Sequence, residues 1–412
     1  MAADNNVTQL NGLFKEVYAD KLQDLIPDGV MLHNLIPFVP KDKATGNLYH
    51  QPVVLGQEHG FSYGGTAGDA FSLNDAIASQ VKDATVQGYE FLLRTRLSYG
   101  AVARSMNSKA AFESATKLIV ANMLKSFAKR IEAMLFYGQV GLASIDATTD
   151  IAANVITIPL AEWAPALWSG SVGMALVLVD TGTPTTQDQL VVSAVSLEAR
   201  TVTVTGTVTC AGASKLFHKG AIAADGTTSN EFAGIHKIMT NTGTIFGISA
   251  ATYDMWKSVS HSASGALSFD VIQKAIAKGV EKGLDSDVIC LINPRAWANL
   301  MNNQAALRMF DQSYNKGKTE VGSQGIEFHS QNGKVEIKPC NFVKEGNAYI
   351  LSVEDLMRVG STDVTFKLPG SNDKFFRELD NSAGYELRAY SDQALFCSSP
   401  ARLILITGIV NA

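Results

Sequence analysis

The sequence predicts an α+β chain that completes itself on neighbouring copies, and three observations lead there. A long extended segment, residues 51–100, carries its glycines near its middle. A helix of roughly 30 residues, 108–137, follows it directly. The second half then runs helix, strand, helix before a series of strands, which is an α+β pattern. An extended segment of about 50 residues with strand-like ends has little means of burying itself against its own domain. It reads as an arm, and an arm needs a partner subunit. The helix behind it, at about 1.5 Å per residue, is long enough to cross a whole domain as a strut.

The elements follow in order. Residues 7–25 form an amphipathic helix: Leu10, Leu13, Phe14, Val17, Leu22 and Leu25 recur at helical spacing, and Pro27 ends it. A short apolar stretch, 30–39, has nothing local to pack on and is expected to dock elsewhere. Residues 47–55 and 87–99 read as the strands of an extended hairpin. Between them Gly60, Gly64, Gly65 and Gly68 supply left-handed backbone and looseness at low steric cost, with Phe61 and Phe71 beside them. The strut helix carries an apolar stripe of Phe112, Ala115, Ile119, Met123, Phe127, Ile131 and Leu135, and Gly138 and Gly141 stop it.

From about 143 to 230 helical periodicity vanishes. Short β-rich runs at 155–158, 174–179, 190–197 and 201–205 read as a small inserted β domain of sandwich or barrel type. The apolar stretch 163–179 is interrupted by Pro165, Gly170 and Gly173 and reads as a buried loop entering a strand rather than a membrane span. Residues 269–282 form a helix, 287–293 a buried strand, and Pro294 opens a second helix over 295–302. Strands are expected at 325–329, 334–339, 348–352, 364–368, 384–389 and 402–410, the last as an inner strand of a sheet.

A chain of 412 residues has room for two or three domains. Charged residues make up 18%, below the usual quarter. The shortfall fits a surface covered by other copies, and equally a soluble protein rich in Ala, Ser and Thr. Net charge is −5, and no Lys/Arg run marks a nucleic-acid footprint. Cys210, Cys290, Cys340 and Cys397 form no CxxC pair, which fits buried free thiols in a reducing compartment. The first residues carry no basic and apolar leader, so no secretory signal is expected.

Signals for chemistry are poor. Gly317-Lys318-Thr319 looks like the tail of a phosphate-binding loop, but Gln312 stands where its first glycine belongs. The histidines never pair at i, i+4, and no Cys/His cluster exists, so no metal site is expected. Gly170-Ser171-Val172-Gly173 lacks nucleophile-elbow spacing. No catalytic, cofactor-binding or metal-binding residue emerges. Lys109, Lys117, Lys125, Lys129 and Arg130 give the strut helix a positive bias. That row reads either as a solvated face, or one paired with acidic side chains of its own fold, or as a weakly basic inner wall facing packaged nucleic acid; the solvated or paired face is the simpler reading.

The order of parts resembles the major capsid proteins of tailed bacteriophages, the Johnson or Hong Kong-type fold. The matching parts would be an N-terminal arm (1–46), an extended loop (47–100), a spine helix of the peripheral domain (101–142), an inserted β-rich domain (143–230), and the remainder of the peripheral and axial domains (231–412). Glu231-Phe232-Ala233-Gly234-Ile235 is similar to a Glu-Phe-x-Gly-Leu pattern found there, and Gly243 to Ser258, GTIFGISAATYDMWKS, to a Gly-Ile…Tyr-x-x-Trp stretch. The resemblance implies a non-enzymatic shell protein without cofactors. It would form hexamers and pentamers around double-stranded DNA, assembled in the host cytoplasm. Implied partners are further copies of itself, a separate scaffolding protein, a portal, loosely held DNA and a decoration protein, with no membrane. Lys82 is the only lysine between Ala44 and Ser108, and no covalent crosslink is expected. Alternatives in the same vein are an encapsulin-like compartment shell or another phage tail or decoration protein; an enzyme with an assembled site is a third class.

Overall fold

The computed structural model describes residues 29–40, 48–66, 68, 70–100, 115–301, 326–367, 376–379 and 384–411. The expected helix at 7–25 and the Gly317-Lys318-Thr319 stretch lie outside the described residues.

The spine helix is described over Ala115–Tyr137. Its character changes along its length. Early turns expose Leu124 and bury Met123 and Phe127, whereas residues 131–138 are buried on every side. The helix therefore enters the core end-on. Gly138 stops it, followed by left-handed Gln139 and Gly141. A Cβ on Gly138 would sit 2.2 Å from the Phe232 carbonyl oxygen and 2.7 Å from that of Met134. Gly234 is equally confined, and its N–H donates to the Gly138 carbonyl at 3.0 Å. The two glycines thus let the helix end and the Glu231–Ile235 motif touch backbone to backbone.

Three sheets surround this helix. A six-stranded mixed sheet runs Val259–Gly265, Ile404–Ile409, Ala348–Leu351, Val288–Ile292, Gly333–Pro339, Ile326–Ser330 in spatial order. Three of its inner strands, Ile404–Ile409, Ala348–Leu351 and Val288–Ile292, are nearly continuous apolar runs because both faces are covered, whereas the other three alternate. Helices Phe269–Glu281 and Pro294–Met301 contribute Ile272, Ile276, Ala296 and Leu300 to the same core. Ser268 caps the first, its Oγ accepting from the Val271 N–H. Ile404–Ile409 lies inside this sheet.

A seven-stranded antiparallel sheet spans Ala143–Asp146, Ala213–His218, Ala175–Asp180, Gln187–Ser196, Thr201–Thr205, Val155–Thr157 and Ile151–Ala152. Alternation in Thr201–Thr205 turns Val202 and Val204 inward. The 163–168 stretch is buried, with Trp163 and Trp168 stacked at 6.5 Å.

The third sheet corrects two readings. Tyr89–Ser98 does not return along 49–56; it pairs antiparallel with Gly384–Cys397 over its whole length, Gly384 opposite Ser98 and Gln393 opposite Tyr89. The true partner of Tyr49–Gly56 is Gln80–Val86. The strand expected at 364–368 is Leu356–Thr365, which pairs with the long strand Gly384–Cys397. Phe38–Pro40 joins its other edge in parallel.

That edge strand is held by two buried charges. Glu132 on the spine helix is fully buried, and its carboxylate accepts the backbone N–H groups of Met31, Leu32 and His33 at 2.9, 2.8 and 2.8 Å. Burial pushes this carboxyl up, while the three N–H bonds draw it down. Arg358 donates to the Ile36 carbonyl at 3.1 Å, to both Asp363 oxygens at 2.6 and 3.2 Å, and to Gln393 at 3.0 Å. Glu132→Ala orphans three donors and is expected to destabilise the chain by about 2–4 kcal/mol, with lost hydrogen-exchange protection at residues 31–33. Glu132→Gln, which keeps one acceptor oxygen, should fall between.

Candidate assembly interface

The hairpin Tyr49–Gly56/Gln80–Val86 is the arm. Its root rests on the body. Tyr49 meets the Phe396 ring edge-on at 5.4 Å, and Ala84 is fully buried. The Gly243–Ser258 motif is the seat for this root. It forms a tight hairpin, Thr244–Ile245 with Ile248–Ser249, whose turn residues Phe246 and Gly247 both have positive φ. The Phe246 carbonyl accepts the Thr85 N–H at 2.9 Å, and Tyr253 Oη donates to Gln80 at 2.8 Å. Trp256 is buried beneath, its indole N–H donating to the Ile245 carbonyl at 3.1 Å.

Beyond Gly56 the arm leaves the body. Every described residue from 57 to 80 is exposed except Ser62, which is half-buried because Asn74 folds over it. Among the described residues the two legs are tied to each other: His59 N–H to the Ile77 carbonyl at 3.2 Å, Asn74 N–H to Ser62 Oγ at 2.7 Å, and the Asn74 amide to the Phe61 carbonyl at 2.8 Å. From Tyr49 to Gly65, at about 3.3 Å per residue, such a ribbon reaches roughly 50 Å.

The four glycines divide between two tasks. Gly65 and Gly68 are left-handed, as expected from their tip position. Gly60 and Gly64 are not. Their value is close approach: a Cβ on Gly64 would lie 2.6 Å from the Phe71 ring, and one on Gly60 would lie 3.1 Å from the Ala76 backbone. Phe71 therefore closes the tip over Gly64 rather than standing free, though it is still half exposed. Phe61 is exposed, as are Val54, Tyr63, Leu73, Ile77 and Val81, with Tyr63 at 86% and Leu73 at 81%. Sequence reasoning named the phenylalanines and missed Tyr63 and Leu73, although both flank the glycines. An apolar row of this size left exposed by the described residues marks a contact surface.

The basic row on the spine helix is split. Lys109 lies outside the described residues, as does the side chain of Lys117. Lys125 is exposed. Lys129 turns inward, donating to the Ser169 carbonyl and to Ser169 Oγ, and burial lowers its pKa. Arg130 is drawn down by burial and up by the charge of Glu231. Lys129 is thus tied to its own fold, and Arg130 is half-buried beside it.

Glu231 itself is buried, and desolvation raises its carboxyl to about 7 against the pull of Arg130 and the Gln139 N–H. Between about pH 4.5 and pH 7 the folded chain holds a proton there that the unfolded chain has lost. Stability from this group is thus full at low pH and declines as pH rises through that window. Glu231→Gln should remove that decline, on the order of 3 kcal/mol, in parallel denaturant titrations at pH 5 and pH 8.

Among the described residues no group of His, Cys, Asp and Glu is placed to hold a metal ion, and no helix is long and apolar enough to cross a membrane. The free thiols at Cys210, Cys290, Cys340 and Cys397 are all buried.

No protein-family model matches the sequence, and no curated protein sequence matches it. Solved structures do. The chain aligns with a subunit of the cyanophage A-1(L) capsid at a TM-score of 0.59 and 12% identity, covering 98% of this chain and 99% of that one. It aligns with a chain of the native GTA particle capsid at 0.53 and 8% identity, covering 99% and 100%. Both alignments run end to end: this chain has the tailed-phage capsid fold.

Proposed function

We propose that the chain is the major shell protein of a tailed-phage head, assembling as hexamers and pentamers of an icosahedral capsid around double-stranded DNA. The observation that carries this reading is the arm: a ribbon reaching roughly 50 Å that, among the described residues, is bound to its own body only at its root and is lined with exposed apolar side chains. Burying Val54, Phe61, Tyr63, Leu73, Ile77 and Val81 on a neighbour contributes on the order of 10 kcal/mol gross, less the cost of ordering the arm. Repeated around a closed lattice, that contact holds neighbouring subunits together. Under this reading the chain is structural and not catalytic. A separate scaffolding protein guides assembly, a portal occupies one vertex, and a decoration protein docks on the outside. DNA is retained by enclosure, in keeping with the net charge of −5.

Electron microscopy of particles from cells expressing the chain with its neighbouring genes tests the reading. Closed shells with nuclease-protected DNA are the expected result. Tubes, shells enclosing an enzyme without nucleic acid, or discrete small oligomers alone would contradict it.

A further inference from the structure

A second site lies away from the arm. A cleft of about 340 Å³ opens between the spine helix, the 169–173 loop and the end of strand Ala213–His218. Lys129 and Arg130 line it, and no carboxylate does. Glu231, whose charge acts on Arg130, does not line this cleft; it shares one adjoining cleft with Arg130 and His218 and a second with His218.

The donors here outnumber the acceptors. Lys129 uses two contacts on Ser169, which fixes its ammonium at the wall. An ammonium has three donors, so one is left over. The Arg130 guanidinium makes no ion pair or hydrogen bond with the described residues. His218 is the clearest sign. Its ring is buried, and neither Nδ1 nor Nε2 has a hydrogen-bond partner. One of those nitrogens carries a proton in either tautomer, and buried polar groups in folded proteins are nearly always paired. Burial and the Arg130 charge hold the ring well below its ordinary pKa. An anion between the two cations would answer all three residues at once.

We propose that this cleft binds a phosphate-class oxyanion, with Arg130 and Lys129 as the charged donors and His218 as a third. The cleft is larger than one phosphate, so the oxyanion is either free or borne as a phosphodiester on a larger molecule. The inference rests on the cleft alone and holds whether or not the chain builds shells.

Calorimetric titration of inorganic phosphate into the full-length chain, at constant ionic strength against chloride, tests it. One saturable site is expected, weakened at least tenfold in Arg130→Gln and in Lys129→Gln, each checked for native circular dichroism. If either variant misfolds, the His218 ring resonances of the wild type supply the second readout, and they should shift along the same isotherm. A short DNA duplex that displaces phosphate assigns the oxyanion to a phosphodiester; one that leaves the isotherm unchanged assigns it to free phosphate, and both uphold the site. Absence of saturable binding overturns the proposal, as do folded variants that bind like the wild type or His218 resonances unmoved by phosphate.

Discussion

Deleting residues 57–75 is expected to abolish shell assembly and leave a folded subunit. The removed residues touch one another and little else: the ties between His59 and Ile77, and between Asn74 and the 61–62 leg, are internal to the ribbon. The root contacts at Thr85, Tyr253 and Tyr49 are kept. After the deletion residues 76–79 join the strands Tyr49–Gly56 and Gln80–Val86, and a four-residue connection is ordinary for a hairpin. The melting temperature should therefore stay within a few degrees of the full chain, since exposed segments contribute within about 0.5 kcal/mol. Assembly, followed by light scattering or sedimentation, should be lost. A gentler version carries the same prediction: Tyr63→Asp with Leu73→Asp places two carboxylates where the neighbour is apolar. Normal shells from either variant would contradict the arm's role.

The second large effect is at the end of the spine helix. Gly138→Ala is expected to cost about 3 kcal/mol or more, because the new methyl meets main-chain oxygens on two sides with no side chain free to rotate away. Relief requires separating the helix end from the Glu231–Ile235 segment, which breaks the Gly234-to-Gly138 hydrogen bond. Gly100→Ala is the control: nothing lies within 4 Å of its added methyl, and its change should be small. Urea midpoints read both. A loss under about 1 kcal/mol at Gly138 would show that the contact yields more readily than its geometry implies.

The arm, the spine helix and the late helix–strand–helix run were legible because each depends on a local pattern: glycine placement, 3.6-residue spacing, or a short apolar run. The Glu231 and Gly243 motifs were visible as strings, but their work was not. One lets backbones touch at Gly138 and Gly234, and the other seats the arm root through Phe246 and Tyr253. What could not be read was pairing across distance. Tyr89–Ser98 alternates well, and nothing local says that its partner is Gly384–Cys397 rather than the strand before it. Gln80–Val86 was hidden because the first part of the strand is exposed on both faces and shows no alternation. Leu356–Thr365 was missed over 356–363, where its Arg, Gly and Ser positions dilute the apolar signal, although Arg358 proves to be a buried anchor. Glu132 did leave a trace, a lone acid within the apolar turns of the helix end. The cleft on the spine helix left a partial trace, Lys129 and Arg130 in the basic row, but nothing local joined them to His218 or to the 169–173 loop.

The account turns on where the glycine-tipped ribbon ends up. A cryo-EM map of assembled particles at side-chain resolution answers this directly. Residues 57–79 are predicted to lie along an adjacent copy, with Tyr63 and Leu73 buried in the contact. A map in which those residues fold back onto their own subunit, or stay solvent-exposed in the finished particle, would contradict the account.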